Sequence, residues 1–169
     1  MARVFDDLDV RGAAPDVVLY NASFRTRGPL VDLDPADVSR ALMITAFGAF
    51  VVCQQAARRM LPRGHGTILL TGASASVKGY AQSAPFAMGK FALRGLAQSM
   101  ARELSPQGIH VAHVVIDGAV RSGSRAEPAE KPDSMLDADA IAKAYWGLVT
   151  QPRSAWSSEL ELRPWVERF

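Results

Sequence analysis

Three segments that are apolar throughout alternate with long helical segments, and this alternation constrains the fold of the 169-residue chain more than any other feature. The segments 16–20, 66–71 and 109–116 are rich in Val, Ile and Leu and are predicted to be strands. Strands that do not alternate between apolar and polar positions are typical of a parallel sheet that helices cover on both faces. Right-handed crossovers are expected between successive parallel strands. We therefore predict a doubly wound, mostly parallel α/β sheet.

The helical segments have recognisable boundaries. Asp34 is predicted as an N-cap, with Pro35 at the first position of a helix that runs to about Leu61. Further elements are predicted as helices over 2–9, Ala84–Leu104 and Asp137 to about Thr150, a loop over 121–134, and a short last strand over Glu159–Leu162. No internal repeat is found, so residues 1–169 are expected to form one domain.

Composition excludes several classes of function. The chain is 49% hydrophobic and has a net charge of +2, with no basic block, so nucleic acid is not an expected partner. The pairs Arg25/Arg27 and Arg58/Arg59 are predicted to be solvated. The single cysteine, Cys53, excludes an intrachain disulfide. The three histidines lack metal-ligand spacing. No signal core is found, and the apolar run 41–53 is too short to span a membrane, so a cytoplasmic protein is expected.

Phe86 and Lys90 lie four residues apart in a predicted helix and therefore share one face. This segment follows Gly-Thr-Ile-Leu-Leu-Thr at 66–71 and precedes Gly-Ile-His-Val at 108–111. In its motifs and in the order of its elements, the chain resembles the short-chain dehydrogenase/reductase superfamily from the middle of that family's sequence onward. The resemblance covers nearly the whole chain and is strongest over 66–120. It implies a Rossmann-like fold and an NAD(P)-linked oxidoreductase acting on an alcohol or ketone.

The catalytic positions that the resemblance implies are altered. Lys90 matches the family Lys, which holds the cofactor ribose and lowers the pKa of a catalytic Tyr four residues before it. Phe86 stands at that Tyr position, and a phenyl ring cannot act as a general acid or base. Thr45 stands at the position of a family Asn that orders a water molecule. The resemblance therefore implies a degenerate active site.

The family's catalytic Ser falls on Ala73. A slip of one residue in the loop would allow Ser74 to bind the substrate oxygen instead. Tyr80, six residues before Phe86, is a second side chain that could supply a hydroxyl, although a surface or lid position is the simpler interpretation. The sequence leaves both substitutions open.

Cofactor contacts are also implied by the resemblance. Asn21 and Ala22 match the family's Asn-Ala-Gly, Asp117 and Gly118 match its Pro-Gly, and Lys90 completes the set. The strands that begin the family fold and their Gly-rich turn, which approaches the cofactor pyrophosphate, have no counterpart in this sequence. The chain is thus interpreted as a truncated family domain, and binding of NAD or NADP is expected to be weak or absent.

Two alternatives to the enzyme remain open: an inactive binding or subunit-interaction protein that takes a small molecule or a partner chain, and a gene model shortened at its N-terminus. In the family, the strand that matches 16–20 lies beside a strand that this chain lacks, which would leave an apolar edge. The predicted helices over 34–61 and 84–104 resemble those that pack between family subunits. We therefore expect a homo-oligomer, at least a dimer.

Overall fold

The computed structural model describes residues 2–167 as a parallel sheet with helices on both faces. In chain order the elements are α1 (Ala2–Val10), β1 (Val17–Tyr20), α2 (Pro35–Leu42), a π-helical turn (Met43–Phe47), α3 (Gly48–Met60), β2 (Gly66–Thr71), α4 (Ala84–Leu104), β3 (Ile109–Ile116), α5 (Ala138–Val149) and β4 (Glu159–Leu162). The predicted α/β class is confirmed.

The four strands follow one another across the sheet in the order β1-β2-β3-β4, and all neighbours are parallel. β2 and β3 are central and almost completely buried, which explains their largely apolar sequences. β1 is an edge strand, and in residues 2–167 no strand pairs with its other side. On one face of β1, Val17 and Leu19 are 43% and 52% exposed.

The core is divided between the two faces of the sheet. Helices α1, α3 and α4 cover the face that carries Ile68 and Leu70, whereas α5 covers the opposite face at Leu69 and Val114. Because the strands advance in one direction, crossovers on opposite faces have opposite hands. The β2–β3 connection through α4 and the β3–β4 connection through α5 therefore cannot both be right-handed, so the expected right-handed winding is wrong for one of them. The long segment 117–137 allows the chain to cross to the other face before α5 begins.

The apolar segment after β1 belongs to one continuous helix. Asp34 Oδ1 accepts a hydrogen bond from Ala36 N at 2.8 Å, which confirms the predicted N-cap. By length and composition alone, Pro35–Arg63 could cross a membrane, with a mean hydropathy of 1.6, and it is the one such helix in the described part of the chain. Its residues Cys53 and Met60 pack fully buried against the sheet, as in a core helix.

Candidate active site

The carboxyl ends of β1, β2 and β3 open into a single pocket of about 1140 Å³. Its walls include residues from the loops that follow all three strands and from helices α4 and α5. In a parallel α/β sheet, this edge is where ligands bind. The sequence-predicted site residues that line it are Asn21, Ser74, Phe86, Lys90, Asp117 and Gly118, together with Tyr80.

Lys90 is the only lysine in the wall of this pocket among the described residues. It lies on the buried side of α4, and only 3% of its surface is exposed. Its ammonium donates a hydrogen bond to the carbonyl of Thr71, at the end of β2, over 2.7 Å. Burial lowers the pKa of Lys90 to about 8. The ammonium thus sits at the sheet edge with two N–H groups left for a ligand.

Phe86 lies one turn before Lys90 on the same helix and also lines the pocket. The centre of its ring is 5.8 Å from the Lys90 ammonium. The guanidinium of Arg25, from the segment after β1, lies over the same ring at 4.7 Å. The aromatic face is therefore in contact with two cations, an arrangement that a ring quadrupole stabilises.

Thr45 lies in the π-helical turn and is 1% exposed. Its Oγ1 accepts a hydrogen bond from Phe24 N at 3.4 Å. Thr45 also packs closely against Gly89 of α4, because a Cβ added at Gly89 would lie 3.0 Å from the Thr45 Cβ. The Tyr20 hydroxyl donates to the carbonyl of Ile44 in the same turn. Thr45 thus ties the loop after β1 to the helix behind it and does not reach the pocket wall.

Ala73 and Ser74 both line the pocket, whereas Ser76 faces the interior. Ser76 is completely buried; its Oγ accepts from Ala73 N at 3.2 Å and lies 3.2 Å from His113 Nε2. His113 is buried in turn, and desolvation lowers its pKa against the opposing effect of Glu159. These contacts fix the turn that presents Ser74 to the pocket.

Asp117 ends β3 and is 2% exposed. Its carboxylate lies 3.8 Å from the Lys78 ammonium and 3.5 Å from Arg163 Nη2, which balances its charge. Gly118 allows close packing, because a Cβ there would lie 2.7 Å from Pro164. In the segment that follows the edge strand β1, Asn21 lines the pocket and Ala22 does not.

Sequence reasoning missed part of this pocket. The Tyr145 hydroxyl, from α5, lies 2.8 Å from Thr71 Oγ1, and burial raises its pKa. Arg25, Arg27 and Arg125 also line the pocket. The pair Arg25/Arg27 is exposed, as predicted, but the sequence does not predict that it faces this pocket. The pair looks like any exposed charge in the sequence because only the fold of the loop after β1 turns it toward the site.

A parallel α/β sheet with its pocket at the strand ends defines a Rossmann-like protein. Residues 1–154 match a family model described as "Enoyl-(Acyl carrier protein) reductase". The chain belongs to the short-chain dehydrogenase/reductase superfamily.

Known proteins with similar sequence or structure include several dehydrogenases. The chain is similar to a short-chain dehydrogenase from Rhodopseudomonas palustris, with 36% identity and a TM-score of 0.80 over 97% of this chain and 70% of that one. Its fold also resembles that of 4-hydroxyisoleucine dehydrogenase complexed with NADH, with 21% identity and a TM-score of 0.83 over 96% and 73% of the two chains.

Among curated relatives, L-2,3-butanediol dehydrogenase from Corynebacterium glutamicum is 30% identical over 109 residues, which is 64% of this chain and 42% of that protein. The 17-beta-hydroxysteroid dehydrogenase type 1 of Homo sapiens is 30% identical over 122 residues, 72% of this chain and 37% of that protein. The chain spans about half or less of the length of these curated relatives.

Proposed function

We propose that this chain forms part of an NAD(P)-linked oxidoreductase that transfers hydride between the cofactor and an alcohol or ketone. The observation that supports this most strongly is the buried Lys90 ammonium at the edge of the sheet, 2.7 Å from the Thr71 carbonyl and open to the pocket. Burying a cation costs free energy, and such groups are concentrated at functional sites. The NADH complex of the structurally similar 4-hydroxyisoleucine dehydrogenase supports the same cofactor class.

The side chains in the pocket fit the ribose end of a nicotinamide cofactor. Lys90 keeps two donors for hydroxyl oxygens, and the Asn21 amide lines the same pocket. Asp117 and Gly118 end the neighbouring strand, where they would flank the bound cofactor. When bound, the nicotinamide group supplies the hydride chemistry. The chain's own residues hold and orient it.

The substrate oxygen is assigned to the Ser74 hydroxyl, because Ala73 has no polar side chain and Ser76 is turned into the core. Phe86 cannot exchange a proton. In this proposal, the proton that accompanies hydride transfer is carried by a water molecule or by Tyr80, whose phenol lines the mouth of the pocket. Neither group replaces the family Tyr at its own position.

Saturation-transfer NMR with millimolar NADH tests the cofactor contact directly. Wild type is expected to give a signal at the ribose protons, and Lys90→Met is expected to lose it. Lys143→Met, on the exposed side of α5, removes the same charge away from the pocket and serves as the control. Equal signals from the two variants, or no ribose signal in wild type at any NADH concentration, would contradict the proposal.

A second candidate is an inactive ligand-binding or subunit-interaction protein. The specific observation in its favour is the packing of Phe86, whose ring supports the Arg25 guanidinium at 4.7 Å instead of offering a hydroxyl. On this alternative, the pocket binds a small molecule without turnover. Absence of hydride transfer with a panel of alcohols and ketones, despite measured binding of NADH, would favour it.

We further propose that the chain forms a homo-oligomer through the outer faces of the two long helices. Large apolar side chains are about half exposed there: Met43 and Phe47 in the π-helical turn, Phe50 on α3, and Met88 and Phe91 on α4. Contiguous apolar surface of this kind marks association sites in soluble proteins. A symmetric pairing of identical subunits is the commonest way to bury it.

A further inference from the structure

Three arginines converge on the active-site pocket from two separate loops. Arg25 and Arg27 lie in the segment between β1 and α2, and Arg125 lies in the loop that follows β3. We propose that these three arginines, named here the arginine cluster, bind an oxyanion group, a carboxylate or a phosphate, of the small molecule that enters the pocket. The identification of that molecule as the substrate rests on the proposed function.

The location of the cluster is the first argument. Arg25 and Arg27 line both the large pocket and an adjoining one of about 290 Å³. The remaining wall of the smaller pocket comes from Ser74 and from residues 80–83. The guanidinium groups therefore lie on the side of the site where Ser74 is presented. A ligand held there would have its oxyanion next to the Ser74 hydroxyl.

The cluster has no internal counter-charge. In the described range 2–167, no carboxylate lies within ion-pair distance of Arg25, Arg27 or Arg125, and none of their guanidinium groups donates a hydrogen bond to a protein atom. Burial, together with the charges of Arg27 and Arg125, lowers the pKa of Arg25. A bound anion would relieve this repulsion.

The carboxylates in the same pocket do not neutralise the cluster. Asp117 is engaged by Lys78 and Arg163 at the end of β3. Glu167 lines the pocket and forms no ion pair with the three arginines. The anion-binding capacity of the cluster is therefore available to a ligand. Guanidinium groups present paired N–H donors that match carboxylate and phosphate oxygens, so a ligand that carries one of these groups is expected.

The altered residue Phe86 has a role in this arrangement. The Arg25 guanidinium lies 4.7 Å from the centre of its ring, and the Lys90 ammonium lies 5.8 Å from the same ring centre. The ring thus contacts both the cation assigned to the cofactor and one cation of the arginine cluster. A ligand that spans this distance would place its oxyanion on the arginines and its reacting carbon toward Ser74 and Lys90.

The test measures anion binding without any cofactor, so that it does not depend on the oxidoreductase activity. Inorganic phosphate and succinate are each titrated at constant ionic strength, with chloride as the balancing anion, and the thermal unfolding midpoint is recorded. A saturable rise is expected with at least one of the two probes. A response to phosphate alone indicates a phosphorylated ligand, and a response to succinate alone indicates a carboxylate ligand.

Variants then locate the site. Arg25→Gln and Arg27→Gln are expected to weaken the apparent affinity at least about tenfold each, since each removes a charge-assisted donor pair. Arg58→Gln, an equal change of charge on the exposed side of α3, is expected to leave it unchanged. Phe86→Leu, which removes the support of Arg25, is expected to weaken it roughly two- to fivefold.

No response to either probe in wild type would overturn the proposal. So would equal weakening in Arg25→Gln and Arg58→Gln, because it would mean that the anions respond to net charge alone. If the NADH signal described above fails while anion binding at the cluster persists, the oxidoreductase assignment falls and the anion site stands. If anion binding fails while NADH still contacts Lys90, the anion site falls and the oxidoreductase assignment stands.

Discussion

The buried ammonium of Lys90 should give the protein a distinctive dependence of stability on pH. In the folded chain the pKa of Lys90 is lowered by burial to about 8, against an ordinary value of 10.5. Between these two pH values the unfolded chain binds a proton that the folded chain has released. The free energy of unfolding contributed by Lys90 therefore rises with pH across that window and is lost as the pH falls through 8.

The magnitude follows from the separation of the two pKa values. They lie about 2.5 pH units apart, which corresponds to about 3 kcal/mol of unfolding free energy. Replacement by methionine removes the titrating group and keeps an unbranched chain of similar size. The stability difference between Lys90→Met and wild type should thus change by about 3 kcal/mol between pH 7.5 and pH 10.5, in favour of wild type at the higher pH.

Urea unfolding followed by circular dichroism, at one fixed protein concentration, measures this difference. Cys53, whose pKa burial raises to about 12, and the buried tyrosines also titrate at high pH, but they do so in both proteins and cancel in the comparison. Lys143→Met is the control, and its difference from wild type should stay flat. A change of less than about 0.5 kcal/mol for Lys90→Met would refute the argument that the cation is buried.

Four further outcomes are expected. Calorimetry should give no saturable binding of NAD(H) or NADP(H) below millimolar concentration, where the binding free energy is about −4 kcal/mol, and micromolar affinity would contradict this. Phe86→Tyr, with a cofactor-binding half of the family fold supplied as a second chain, should raise hydride transfer by about 10²–10⁴-fold because the charge of Lys90 lowers the pKa of the new phenol; an unchanged rate with cofactor bound would place Phe86 elsewhere. Gly72→Ala should destabilise the fold by about 1–3 kcal/mol in urea unfolding, because the new Cβ would lie 2.3 Å from His113 Nε2, whereas Gly79→Ala, in open space, should be close to neutral. Sedimentation should find at least a dimer at tens of micromolar protein, and a stable monomer would count against the exposed helix faces as an interface.

The elements that the sequence predicted most accurately are those whose pattern depends on burial alone. β2, β3 and α4 have the predicted limits, since a strand covered on both faces and a long helix between Pro and Gly carry strong local signals. The π-helical turn at Met43–Phe47 was not predicted. It coincides with a hydrogen bond from the Tyr20 hydroxyl to the Ile44 carbonyl, a tertiary contact with no local signature.

The same distinction applies to the site. Lys90 could be placed by its motif, and the structure brings it to the pocket with Ser74, Phe86 and Asn21. The contribution of Tyr145 could not be predicted, because it depends on α5 crossing to the face opposite α4. The pair Arg25/Arg27 is exposed, as predicted, but its place in the pocket wall could not be predicted, because neighbouring charges in a loop give no sign of the direction in which the loop turns.

The retained and altered positions of the site divide between its two sides. On the side proposed to bind the cofactor, the buried Lys90 ammonium donates to the Thr71 carbonyl, and burial of this cation costs free energy. On the side proposed to bind the substrate, Phe86 stands at the position where the family resemblance implies a proton-exchanging Tyr, and its ring contacts Arg25. A scaffold that had lost all function would have no reason to keep a desolvated ammonium, since an apolar side chain there would be more stable. The combination is better explained by a pocket that still binds a ligand but recognises it through charge. The variants of Lys90 and Arg25 separate these two sides experimentally, because the first should alter the NADH contact and the second the affinity for anions.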